Sequence, residues 1–143
     1  MLSPIRAVTC IGKAVMQPHY ERRRSTMTTQ PFVERIDAVF LPVSNLENAL
    51  AWYTDVFGYE VRWKNARFAG LKVGPNVGFH LVETKDYVPN TNYCPLNFAV
   101  KDIEAARKRL EEKGVRMTEL RAGEPVRFDF FDADGNMLTI IQM

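Results

Sequence analysis

The apolar run Gly78-Phe79-His80-Leu81-Val82 contains a single imidazole, His80. Its free pKa lies near neutrality, so it can orient a polar group of a bound molecule or pass a proton. The plainer alternative is a half-buried histidine bonded to a backbone carbonyl or to Asp129. In Arg127-Phe128-Asp129-Phe130 charges alternate with rings, so the charged pair and the aromatic pair take opposite faces of a strand. Phe128 and Phe130 are expected in the core. Arg127 and Asp129 either face a cavity or form an exposed ion pair worth about 0–1 kcal/mol. Asn97 lies between Leu96 and Phe98, where a buried amide must find partners. It either fixes a ligand or bonds a neighbouring strand. Together an arginine, an aspartate and a histidine in an apolar groove suit a ligand with charged and aromatic parts.

Phe40, Trp63 and Phe68 are candidates for a stacking wall, against the usual claim of core packing on large rings. Trp52 and Tyr53 fall on a helix and read as structural. Asp132 and Asp134 read as turn formers that cap local backbone groups, with too few acids at the wrong spacing for a calcium loop.

These residues must be positioned by a repeated unit. Val43-Ser44-Asn45-Leu46-Glu47-Asn48-Ala49 is echoed 57 positions later by Val100-Lys101-Asp102-Ile103-Glu104-Ala105-Ala106. Ile36 to Val43 reads as a strand, and Asn45 caps a helix over Leu46 to Phe57. Leu46, Leu50, Tyr53 and Phe57 share one helix face, and Gly58 permits the left-handed stop. Strands follow at Tyr59–Trp63, Phe68–Val73 and Val77–Glu83. The second unit has a strand Cys94–Val100, a helix from Asp102 to about Lys113, and Gly114 as its stop. Strands at Val115–Leu120, Val126–Phe131 and Met137–Met143 complete it. The expected fold is α+β: two paired βαβββ modules whose curved mixed sheets surround a groove, with helices outside. Module one is residues 32–84, the linker 85–93 and module two 94–143.

Composition excludes several classes. A net charge of +2 without a basic stripe argues against a nucleic-acid partner. No segment approaches the roughly 18 apolar residues of a membrane span. Two distant cysteines, Cys10 and Cys94, make no disulfide framework and suit a reducing cytoplasm. Residues 1–31 lack sustained periodicity and read as a disordered or extended segment. Their Arg-rich, acid-poor character leaves a transit peptide open, and Met27-Thr28-Thr29-Gln30 looks like an internal start.

Three stretches resemble one family. Val43-Ser44-Asn45-Leu46-Glu47 leading to Trp52-Tyr53-Thr54-Asp55-Val56-Phe57-Gly58-Tyr59 is similar to the V-S-D-L-E and F-Y-x-D-V-L-G-F of the vicinal oxygen chelate superfamily. Phe130-Phe131-Asp132-Ala133-Asp134-Gly135-Asn136 is similar to its F-x-D-P-D-G-N hairpin, with Ala133 where proline is usual. The second copy of the repeat matches the opening of module two. This superfamily includes glyoxalase I, the fosfomycin- and bleomycin-resistance proteins and the extradiol dioxygenases.

The resemblance implies a divalent metal held by side chains from four strands. The matching positions here are Ala38, His80, Pro95 and Thr139. Only His80 carries a suitable donor, because divalent metals select imidazole and carboxylate groups and a catalytic zinc keeps about three protein ligands. The expectation is therefore no metal, no cofactor and no catalytic residue. The resemblance then points to the metal-free bleomycin-resistance branch: a homodimer sequestering a small, partly aromatic molecule. Its ligand-binding set is Phe40, Trp63, His80, Asn97, Arg127, Asp129 and Thr139. Two alternatives stand beside it: a glyoxalase-like or dioxygenase-like enzyme with an atypical site, and a dimeric regulatory or structural protein with a vestigial pocket.

Overall fold

The structure, a computed structural model, describes residues 30–143. The expectation for residues 1–31 falls almost wholly outside the described residues. Strand β1 (Ala38–Val43) runs into helix α1 (Leu46–Phe57), followed by β2 (Glu60–Lys64), β3 (Phe68–Lys72) and β4 (Gly78–Glu83). After the linker come β5 (Asn97–Val100), α2 (Ile103–Glu112), β6 (Arg127–Phe131) and β7 (Met137–Gln142).

Local chemistry sets both helices. The Asn45 side chain accepts from the Asn48 N–H at 2.9 Å, and Gly58 closes α1 at φ 70°. Asp102 accepts from the Ala105 N–H at 3.0 Å to start α2. These caps satisfy donors and acceptors that the first and last helical turns leave without partners.

The two modules have matching topology. The first sheet has strand order β1-β4-β3-β2 and the second β5-β7-β6, and in each the first strand lies parallel to the last. This is an α+β fold with two open, mixed sheets. Two strands differ from expectation. β5 begins at Asn97 rather than Cys94, because Pro95 has no N–H to give to a ladder. The stretch Val115–Leu120 forms no continuous strand and pairs with β6 through a single bridge, Met117 to Phe130. Beside that bridge the Thr118 hydroxyl, not a backbone carbonyl, accepts the Asp129 N–H at 2.9 Å.

The core lies on the helix side of both sheets. Leu41, Val43, Phe79 and Leu81 from the first sheet meet Leu46, Leu50 and Tyr53 of α1, all buried. Phe79 packs edge-on against Phe98 of β5 at 5.3 Å, and Phe57 lies 5.3 Å from Phe130 of β6. One aromatic core thus joins the modules. A buried polar knot reinforces it: the Tyr53 hydroxyl donates to Asp132 at 2.8 Å, and Asn136 donates to Asp132 and to the Pro42 carbonyl. Asp132 acts as a turn residue, as its sequence suggests, whereas the Asp134 carboxylate reaches across to the first module and accepts the Ser44 N–H at 3.0 Å instead of capping a local group. The Asp132 carboxylate also accepts the Asp134 and Asn136 N–H groups, both at 2.9 Å. Because helix-side faces claim the core, the opposite face of the first sheet is left open, whereas on the second sheet Asp129 and Thr139 are buried on that side as well.

Candidate ligand-binding site

Strand alternation puts Ala38, Phe40 and Pro42 of β1 on the open face, beside Gly78, His80 and Val82 of β4. In register, Phe40 lies opposite His80, and His80 opposite Gly70 of β3. The next strand brings Trp63 opposite Gly70. The four positions form one row across the sheet. His80 is clasped in it, with the Phe40 and Trp63 rings each edge-on at 4.9 Å. Phe40 also meets Phe68 edge-on at 6.2 Å. Despite these contacts Phe40 is 55% exposed and Trp63 42%.

Trp63 reaches this face through a β-bulge. Val61 pairs with Leu71 and Trp63 with Gly70, so two steps along β2 answer one step along β3 and Arg62 is the extra residue. Leu71 is buried on the helix side. In a regular strand Trp63 would follow Val61 to that side; the bulge turns it to the open face. Two glycines then clear the space. A Cβ on Gly70 would collide with the Trp63 indole, and one on Gly78 would come within 2.9 Å of His80 Nε2.

His80 bonds neither to a backbone carbonyl nor to Asp129. Its Nδ1 is buried without a hydrogen-bond partner among the described residues. Among the described residues the ring contacts are the edges of Phe40 and Trp63, and Nε2 lies above Gly78. Beside it opens a cavity of about 730 Å³ lined by Arg35, Asp37, Arg62, Trp63, Gly78 and His80, among others. Arg35 donates to Asp37 at 2.6 Å and thereby holds the Asp37 carboxyl below its ordinary range.

The second sheet carries the corresponding row in different chemistry. Asn97 of β5 lies opposite Thr139 of β7, and Thr139 opposite Asp129 of β6. The 57-residue repeat maps Phe40 onto Asn97, so an aromatic row in one module corresponds to a polar row in the other. Asp129 is only 6% exposed. It accepts from the Thr139 hydroxyl at 2.7 Å, from Arg121 at 2.8 Å and from the Cys94 thiol at 3.5 Å. Burial pushes that thiol up from its ordinary pKa. The Asp129–Arg127 ion pair is therefore replaced by a pair between the buried Asp129 carboxylate and the exposed Arg121. Arg127 instead donates to the Pro125 carbonyl at 3.3 Å. Asn97 is exposed and its amide bonds to no neighbouring strand among the described residues.

Of the seven expected residues, the structure groups Phe40, Trp63 and His80 on one sheet, and Asn97, Arg127, Asp129 and Thr139 on the other. No hydrogen bond or ring contact joins the two groups among the described residues. Arg62, Arg35 and Asp37 were not anticipated. Gly70 was the available signal for the bulge, since an isolated glycine within a strand marks close approach or irregularity.

The metal positions implied by the resemblance do not fit a divalent ion. Ala38 has no donor, Pro95 precedes β5, and the Thr139 hydroxyl is committed to Asp129. Among the described residues no three His, Cys, Asp or Glu side chains converge on a point where an ion could sit.

Comparison with known proteins agrees with this architecture. The glyoxalase family protein from Enterococcus faecalis is 25% identical, with 76% of this chain and 97% of that chain covered and a TM-score of 0.65. TnmS3, an antibiotic binding protein from Streptomyces sp. CB03234, is 21% identical over 79% of this chain and 98% of its own, with a TM-score of 0.68. Lactoylglutathione lyase from Agrobacterium tumefaciens is 18% identical over 77% and 94%, with a TM-score of 0.64. At 21% and 18% identity these two show the fold alone. No curated protein sequence matches the chain. Residues 35–140 match the Glyoxalase/Bleomycin resistance protein/Dioxygenase superfamily, and with its paired sheets and helices the chain belongs to that family.

Proposed function

We propose that this protein is a metal-independent binder of a small, partly aromatic molecule. The observation that carries the reading is the Phe40–His80–Trp63 row: three rings kept on an open face by a bulge and two cleared glycines. Large rings gain by leaving water, so an exposed, pre-formed set of edges is an unspent contact surface. A flat ligand placed against it loses little to side-chain ordering, because the rings already hold one another.

In the polar row Asn97 is the exposed member and would anchor the other end of the ligand, with Arg127 beside it, while the buried Thr139–Asp129 pair holds the wall behind them. Within one chain the two rows do not meet, so the groove is completed by a second copy, the aromatic wall of one subunit facing the polar wall of the other. The ligand is sequestered and no bond is broken. The reduced Cys94 is at home in the cytoplasm.

Thermal-shift screening against aromatic, glycopeptide and phosphonate compounds tests the proposal. A compound at a hundred times its dissociation constant stabilises by about 2.7 kcal/mol. That stabilisation is expected for an aromatic member and should vanish in Phe40→Ala. Failure of every aromatic compound to shift the transition would refute it.

A further inference from the structure

The cavity beside His80 contains two arginines and one acid, and only one arginine is matched. Arg35 is committed to Asp37 at 2.6 Å. Lys64, on the same strand as Arg62, turns to the helix side and pairs with Glu47. Arg62 has no carboxylate partner among the described residues. It is also the bulged residue, the one position of β2 freed from the ladder with β3. The same irregularity that turns Trp63 to the open face therefore brings a free guanidinium to the edge of the aromatic row. Arg62 and Trp63, adjacent in sequence, line a single cavity, which a regular strand would not allow.

We propose that the bulge builds an oxyanion subsite, in which Arg62 pairs with the carboxylate of an aromatic acid whose ring lies against Trp63 and His80. This rests on the reading of the protein as an aromatic binder and adds the charge of the ligand. Arginine suits the role because its planar fork meets a carboxylate through two parallel hydrogen bonds. Asp37 does not oppose it, since Arg35 already offsets that charge. His80, which also lines the cavity with its Nε2 above Gly78, adds a polar group on the same side. A neutral or cationic ligand would leave Arg62 uncompensated as its water was displaced.

The test uses the full chain labelled with nitrogen-15 and two probes of one shape, 2-naphthoate and 2-naphthamide. The Trp63 indole N–H resonance, assigned with Trp63→Phe, reports where each probe binds. The acid is expected to shift it and to bind about tenfold tighter than the amide, the scale of one charge-assisted contact. Arg62→Gln is expected to bring the acid down to the affinity of the amide. The amide's own affinity should not change, and the unperturbed spectrum should remain dispersed. Equal binding of acid and amide at Trp63 would overturn the subsite while leaving the aromatic-binder reading standing. An acid preference that survives Arg62→Gln, or shifts confined to Asn97 and Thr139, would also overturn it. Silence from both probes would remove the subsite as well, and the wider reading would then be decided by its own compound panel.

Discussion

The Trp63 indole occupies the space that a side chain on Gly70 would fill. The exposed aromatic row therefore depends on an absence at position 70 as much as on the rings themselves. We predict that Gly70→Ala swings the indole outward and separates it from His80. The indole has solvent on one side, so the loss of stability should fall below the roughly 1–3 kcal/mol of overpacking in a closed core. Emission of Trp63 in a Trp52→Phe background checks this: a red shift is expected, and an unchanged spectrum would show that the ring does not depend on Gly70.

Deleting the bulged residue separates charge from ring. Without Arg62, Trp63 follows Val61 directly, and regular alternation already places it opposite Gly70 on the open face. The deletion variant is predicted to fold and to keep the Trp63 indole resonance near its native position. Loss of that resonance position would mean that the bulge supplies twist the row cannot do without.

Asp132 makes a pH prediction whose sign is fixed. Burial lifts its carboxyl above the ordinary value of 3.8, although hydrogen bonds from Asn136 and Tyr53 oppose the shift. A carboxyl raised in the folded state contributes its stability fully below pH 3.8 and loses it as pH climbs through the folded value. Relative to Asp132→Asn, the native chain should lose stability as pH rises from below 3.8 towards neutrality. Melting of both proteins across that window checks it; a flat or rising difference would contradict the assignment.

The Thr139 hydroxyl donates to the buried Asp129 carboxylate at 2.7 Å. Replacing it with valine keeps the shape but leaves that carboxylate one donor short. Hydrogen bonds to charged groups are worth about 1.5–3 kcal/mol, and denaturant unfolding of Thr139→Val should show a loss of that order. A change near zero would mean that Arg121 and Cys94 satisfy Asp129 without it.

Much of this was legible in the residues, and the exceptions have physical causes. Asn45, Gly58 and Asp102 act through local backbone chemistry, which sequence reports directly. Phe128 and Phe130 fall in the core because alternation on β6 is regular. The 57-residue repeat places Phe40 and Asn97 at matching register positions. Alternation fails where pairing is irregular, so the bulge that exposes Arg62 beside Trp63 was invisible to it. Partner choice was equally hidden: Asp129 takes Arg121, which bridges to Arg127 from the neighbouring segment, rather than Arg127 two residues away. Residues 115–120 carried a strand-like pattern, but Thr118 diverted a ladder bond to its own side chain.

On the proposed reading the open face binds its ligand without a divalent ion. The most direct measurement is the metal content of protein purified without chelator, compared with that of His80→Ala. We predict substoichiometric metal in both. A stoichiometric divalent ion in the native chain that is lost from His80→Ala would contradict it.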